Sequence, residues 1–112
     1  MVGLSDSSDY FSVHVVEADG EPVVVVKGEI DLRAAADFWS GIDTVLADGP
    51  PRLVVDMVDT TFMDSSGLNT LLRAYAALGR LPEAVVLRTP SPAVRRVIRL
   101  AGIEDLFTYD EG

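Results

Sequence analysis

The sequence predicts a single α/β domain on a mixed, mainly parallel sheet, in the order ββαβαβαβ, with helices packed on the sheet. Three observations lead there. Short valine-rich runs bounded by turn residues read as buried strands. They alternate with longer segments that repeat apolar residues every three or four positions, as the buried face of a helix requires. The first two strands are joined by a connection too short for a parallel crossover, so they form an antiparallel hairpin. At 112 residues the chain has the size of one domain and can bury a sizeable core.

Residues 1–9 are a polar, loose N-terminal segment. Residues 12–17 are the first strand, Ala18-Asp19-Gly20-Glu21 the turn, and residues 22–27, with four consecutive valines, the second strand. Residues 32–47 are a helix: Ala35, Phe38, Trp39, Ile42, Val45 and Leu46 share one face, and Asp31 is placed to cap it. Gly49-Pro50-Pro51 ends it, and residues 52–57 are the third strand. Leu68, Leu71, Leu72, Tyr75 and Leu78 mark a second helix, stopped by Gly79, and residues 83–88 a fourth strand. Ser91 caps a third helix with Pro92 at its first position; Val94, Val97, Ile98 and Ala101 share a face, and Gly102 closes it. Residues 105–109 are a short last strand and 110–112 a tail. Phe38, Trp39 and Tyr75 fall at core spacing rather than in a cofactor box.

Composition excludes several functions. Nine basic residues stand against eighteen acidic ones, a formal charge of −9, which disfavours nucleic acid and anionic membrane surfaces as partners. There is no cysteine, hence no disulfide framework, thiolate metal site or cysteine nucleophile. Residues 1–20 contain no Lys or Arg, unlike a secretory signal, and no apolar run is long enough to span a bilayer. A cytoplasmic protein without membrane insertion is the expectation.

In open α/β sheets, sites form where loops leave the carboxyl ends of strands. Two such loops carry polar residues: Gly28-Glu29-Ile30-Asp31, and the stretch from Asp59 to Gly67. The sharper segment is Phe62-Met63-Asp64-Ser65-Ser66-Gly67-Leu68, with Asp64 as cap and the serines opening a helix. Free N–H groups in that turn favour a phosphate on a serine there, while Asp64 opposes it. The same string is also an ordinary helix start, and local chemistry leaves both readings open.

Five segments, in order, resemble the STAS domain, and more narrowly the bacterial anti-sigma-factor antagonists: Gly28-Glu29-Ile30-Asp31, Leu53-Val54-Val55-Asp56, Phe62 through Leu68, Ser91-Pro92-Ala93-Val94 and Ala101-Gly102-Ile103. The resemblance covers residues 10–109, which are therefore expected to be the STAS domain. It implies a non-enzymatic switch without cofactor or metal. The unmodified form binds an anti-sigma factor that is also a serine kinase, and so frees the sigma factor. The kinase phosphorylates the first serine of the motif, here Ser65, and a metal-dependent serine/threonine phosphatase resets it. Gly28, Glu29 and Asp31 from one loop, with Asp64, Ser66, Gly67 and Leu68 from the other, are expected to form one partner surface. The alternative within the family is a non-catalytic scaffold subunit of a transporter or signalling assembly.

Other chemistries fit poorly. A phospho-aspartate receiver would use Asp56, but the chain has one lysine, Lys27, on an early strand, and lacks the acidic pair for Mg²⁺. Met63 and Asp64 precede the serines where a nucleophile elbow needs glycine, and the sole histidine, His14, lies on the first strand. No phosphate-binding Gly-x-x-x-x-Gly-Lys occurs. Arg95, Arg96 and Arg99, with Arg88, form a local basic stretch, read either as a solvated face or as a second contact patch.

Overall fold

The computed structural model describes the backbone of residues 5–7 and residues 10–111. Strands β1 (Ser5–Ser7), β2 (Phe11–Ala18) and β3 (Glu21–Ile30) come first, followed by helix α1 (Leu32–Leu46). Then follow β4 (Leu53–Asp56), β5 (Thr60–Met63), α2 (Ser65–Ala77), β6 (Val85–Arg88), α3 (Pro92–Leu100), a 3₁₀ turn (Glu104–Leu106) and β7 (Thr108–Asp110). The sheet order is β1-β2-β3-β4-β6-β7, with β5 paired to the far end of β3. β1, β2 and β3 are antiparallel neighbours; every later pairing is parallel.

Alternation along the strands divides the core. Val24, Val26, Val55 and Leu87 share one cluster with Phe38 and Ile42 of α1, Leu71 and Ala74 of α2, and Val94 and Ile98 of α3. Val23, Val54 and Val86, adjacent across β3, β4 and β6, make a small cluster on the opposite face. That face holds ion pairs instead of helices: Arg52 bonds Glu21 in bidentate fashion at 2.7 Å, and Arg88 reaches Asp110 at 3.4 Å.

The expected α/β architecture, hairpin and helix order are present, with four differences. Residues 5–7 of the polar N-terminal segment pair with β2; the other residues of that segment, and Gly112, lie outside the described residues. β3 continues to Ile30, so Gly28-Glu29-Ile30 is strand and not loop. Thr60–Met63, read as part of a long loop, is a strand that follows this extension. The chain before the last strand makes a 3₁₀ turn, and the strand itself runs on into Asp110 of the expected tail. In each strand case the pairing partner is distant in sequence or polar, so the local pattern is weak.

Candidate functional site: two capped helices at one sheet edge

The extension of β3 brings the two chemically rich segments together. Glu29 pairs with Phe62 and Ile30 with Met63, so both strands end level. The next residue in each chain segment is an aspartate, and each caps a helix. Asp31 (φ −109°, ψ −169°) precedes α1; Asp64 (φ −107°, ψ −168°) precedes α2. The two turns are stitched together where the Asp64 N–H donates to the Ile30 carbonyl at 3.2 Å.

Gly28 makes this extension possible. Its φ is +93°, and an added Cβ would lie 2.0 Å from the Tyr10 carbonyl oxygen. Any other residue would be both strained and blocked there. β3 pairs with β4 through Val25 and with β5 from Gly28 on, and a bulge between Gly28 and Glu29 shifts the register against β5. The Gly28 N–H donates to Asp59 O at 3.0 Å and the Glu29 N–H to Tyr10 O at 2.8 Å.

At α2, Asp64 Oδ1 accepts the Ser66 N–H at 2.8 Å. Ser65, the first helical residue, is exposed, and its hydroxyl has no hydrogen-bond partner among the described residues. Ser66 is half-buried, and its carbonyl accepts from the Thr70 hydroxyl at 3.1 Å. Gly67 and Leu68 are buried. A Cβ at Gly67 would meet Met63 Cγ at 2.6 Å and Ile30 Cγ2 at 2.8 Å, so the absent side chain lets the first turn of α2 sit on the strand ends. Among the seven residues expected to contact a partner, Glu29 is exposed, and Gly28, Asp31, Asp64 and Ser66 are half-buried. Gly28, Gly67 and Leu68 act on the site by shaping it from below.

At α1, Asp31 Oδ1 accepts the Ala34 N–H at 3.1 Å, and Arg33 approaches the other carboxylate oxygen at 3.3 Å. Desolvation pulls the Asp31 carboxyl upward, but the Ala34 N–H and the Arg33 guanidinium together hold it below the usual carboxylate range. The same guanidinium lies 4.4 Å over the Tyr10 ring. The two adjoining turns thus carry Glu29, Asp31 and Asp64, with Arg33 paired to Asp31.

Elsewhere, Asp56 Oδ1 accepts the Val58 N–H at 3.1 Å and closes a turn, the local pairing expected of a strand-end residue. Ser91 ties α3 to the same edge: its hydroxyl donates to Thr60 O and its N–H to Met57 O at 3.2 Å. Among the described residues no cluster of His, Asp and Glu can hold a metal ion. Surface cavities of about 260, 350 and 400 Å³ are lined by neither capped turn. Sequence reasoning missed the exposed apolar side chain of Leu32, next to the Asp31 cap. A signal existed at Leu32, which falls outside the apolar face of its helix.

Residues 13–108 match the protein family described as "Mlab, STAS domain". The chain belongs to the STAS-domain family. It is 34% identical over 99 residues to the anti-sigma-F factor antagonist RsfB of Mycobacterium tuberculosis, covering 88% of this chain and 80% of RsfB. The crystal structure of an anti-sigma factor antagonist from Mycobacterium paratuberculosis superposes with a TM-score of 0.81 at 36% identity, covering 95% of this chain and 90% of that one. SpoIIAA, a Bacillus cell fate determinant solved in its phosphorylated form, is similar at 25% identity and a TM-score of 0.62, over 87% of this STAS chain and 89% of its own. Among the described residues, no helix of this STAS domain is long and apolar enough to cross a membrane.

Proposed function

We propose that this STAS domain is an anti-sigma-factor antagonist whose binding is switched off by phosphorylation of Ser65. The observation that carries the reading is the exposed, unengaged Ser65 hydroxyl at the first position of α2, beside the Asp64 carboxylate. The likeness to antagonists of anti-sigma factors supports the class of partner, and a neighbour known in a phosphorylated form supports the type of switch.

The unmodified domain binds a cytoplasmic anti-sigma factor with serine kinase activity, and the sigma factor is released. The domain itself contributes no catalysis and needs no cofactor. The kinase transfers the γ-phosphoryl of ATP to Ser65 Oγ; the hydroxyl proton leaves and ADP departs. A metal-dependent serine/threonine phosphatase returns the serine by hydrolysis. The new group adds about −1.5 to −2 charge to turns that already carry Glu29, Asp31 and Asp64. Like-charge repulsion and desolvation at the contact then weaken binding by about 2–3 kcal/mol, a 30- to 150-fold loss.

Titration calorimetry against the purified anti-sigma kinases of the source genome tests this. The unmodified domain and Ser65→Ala are expected to bind one of them. Ser65→Asp is expected to bind more weakly and the phosphorylated form most weakly, with mass spectrometry placing the phosphate on Ser65. Equal affinities for all forms would refute the switch and favour the scaffold reading, in which a STAS subunit holds an assembly together and Ser65 has no role.

A further inference from the structure

Helix α3 holds three of the chain's nine basic residues, Arg95, Arg96 and Arg99, and none of its eighteen acidic ones. Arg88, read with them in the sequence, belongs elsewhere: it pairs with Asp110 on the sheet face opposite the helices. Arg95 and Arg99, one turn apart, line a cavity of about 260 Å³ between α3 and β7, together with Ile98, Glu104 and Tyr109. We propose that this cavity receives an acidic side chain from a segment of a protein partner, in competition with the chain's own Glu111. The inference stands apart from the Ser65 switch and assigns a second contact patch.

The walls of the cavity are held in place within the domain. Arg95 Nε donates to the Pro90 carbonyl at 3.0 Å, and its guanidinium lies 5.8 Å from the centre of the Tyr109 ring. The Tyr109 hydroxyl in turn donates to Glu104 O at 2.9 Å. An incoming anion therefore meets a guanidinium that is already oriented, with little side-chain freedom left to lose. The domain itself shows which anion Arg95 takes, because its Nη2 pairs with the Glu111 carboxylate. Both partners of that pair reach solvent, and such pairs are weak and readily exchanged. Arg99 is exposed, and its guanidinium makes no hydrogen bond or ion pair among the described residues. A carboxylate set between the two guanidinium groups gains charge-assisted bonds from both, which Glu111 on Arg95 does not. Phosphate suits the cavity less well, since Glu104 lines it and Glu111 stands beside it, and a dianion would meet both. The chain as a whole carries a formal charge of −9, so most of its surface repels an acidic segment while α3 attracts one. That contrast fixes where such a segment docks.

The test titrates the isotope-labelled full domain with a capped hexaglutamate peptide at low ionic strength and follows it by NMR. The peptide is expected to shift the Nε–H signals of Arg95 and Arg99 and the amides of α3 and β7. Arg99→Gln is expected to weaken binding about fivefold, the upper range for an exposed ion pair. Glu111→Gln is expected to strengthen it, because the internal competitor loses its charge. Arg73→Gln is the control: it removes the same charge from the exposed face of α2, where Arg73 lies over the Trp39 ring, and is expected to bind like the parent. Shifts spread evenly over all the arginines, or equal loss in Arg99→Gln and Arg73→Gln, would overturn the cavity as the site. Unchanged affinity in Glu111→Gln would overturn the competition. Inorganic phosphate or ATP shifting the same signals at lower concentration than the peptide would overturn the acidic segment as ligand and make this a phosphate site. None of these outcomes bears on Ser65.

Discussion

The starts of α1 and α2 are two versions of one local design. Both follow parallel strands, both are capped by an aspartate, and the caps agree within about 2° in φ and 1° in ψ. Their next three residues differ: Leu32-Arg33-Ala34 against Ser65-Ser66-Gly67. At the third position α1 buries an alanine, whereas α2 has no room for a Cβ over Ile30 and Met63. Asp31 reaches the N–H of that third residue, while Asp64 bonds the N–H of the second. At the first position α1 exposes an apolar side chain and α2 a free hydroxyl. Capping alone therefore does not single out the proposed switch. What distinguishes α2 is small side chains that leave a hydroxyl unobstructed on a turn pressed against the sheet.

The largest effect separates the two starts by chemistry. A phosphate on Ser65 is expected to lower partner affinity 30- to 150-fold, and Leu32→Ser at the matching position of α1 to leave that ratio unchanged. Calorimetric titration of the four combinations gives the comparison directly. Interaction between the two changes would mean that the starts form one contact and not two.

The next effect concerns packing. Gly67→Ala is expected to cost roughly 1–3 kcal/mol from overpacking against Met63 and Ile30, partly offset by about 1 kcal/mol of helix propensity. The reverse change at the matching site, Ala34→Gly, loses propensity and a buried methyl, about 1–2 kcal/mol. Urea denaturation measures both. If Gly67→Ala proved neutral, the tight seat of α2 would not be what sets that glycine.

Asp64→Ala removes a cap and is expected to cost about 1 kcal/mol and to fray the turn that presents Ser65. Hydrogen exchange at Ser66 and Gly67 reads that fraying.

The smallest effect is in pH. The Asp31 carboxyl lies below its usual value of 3.8, so its contribution is present above that value and is lost as pH falls through its lowered folded value. Asp31→Asn keeps capping ability and removes the ionisation. It is expected to flatten the acid limb of stability below about pH 4 by removing, at neutral pH, the small contribution of the ionised carboxylate. An unchanged partner affinity in this variant would make Asp31 a cap only, and an affinity change would make its charge part of the contact.

What the sequence by itself determined were features whose causes lie within a few residues. The Asp31, Asp64 and Ser91 caps, the Pro92 start and the alternation of valine runs with helical faces depend on hydrogen bonds and periodicities that span one turn or one strand. All were legible, and so was the meeting of the two polar segments, because consecutive parallel strands deliver their carboxyl ends to one edge. Only the tertiary structure decided the rest. Thr60–Met63 is a strand because β3 outruns β4 and offers it an edge more than thirty residues away. Gly28 and Gly67 are glycines because of Tyr10, Met63 and Ile30, contacts no local pattern encodes. Phe62 is exposed because its neighbour Met63 is the β5 residue turned toward Gly67 of α2. Which side chains remain at the surface is settled by how all the elements share one finite interior.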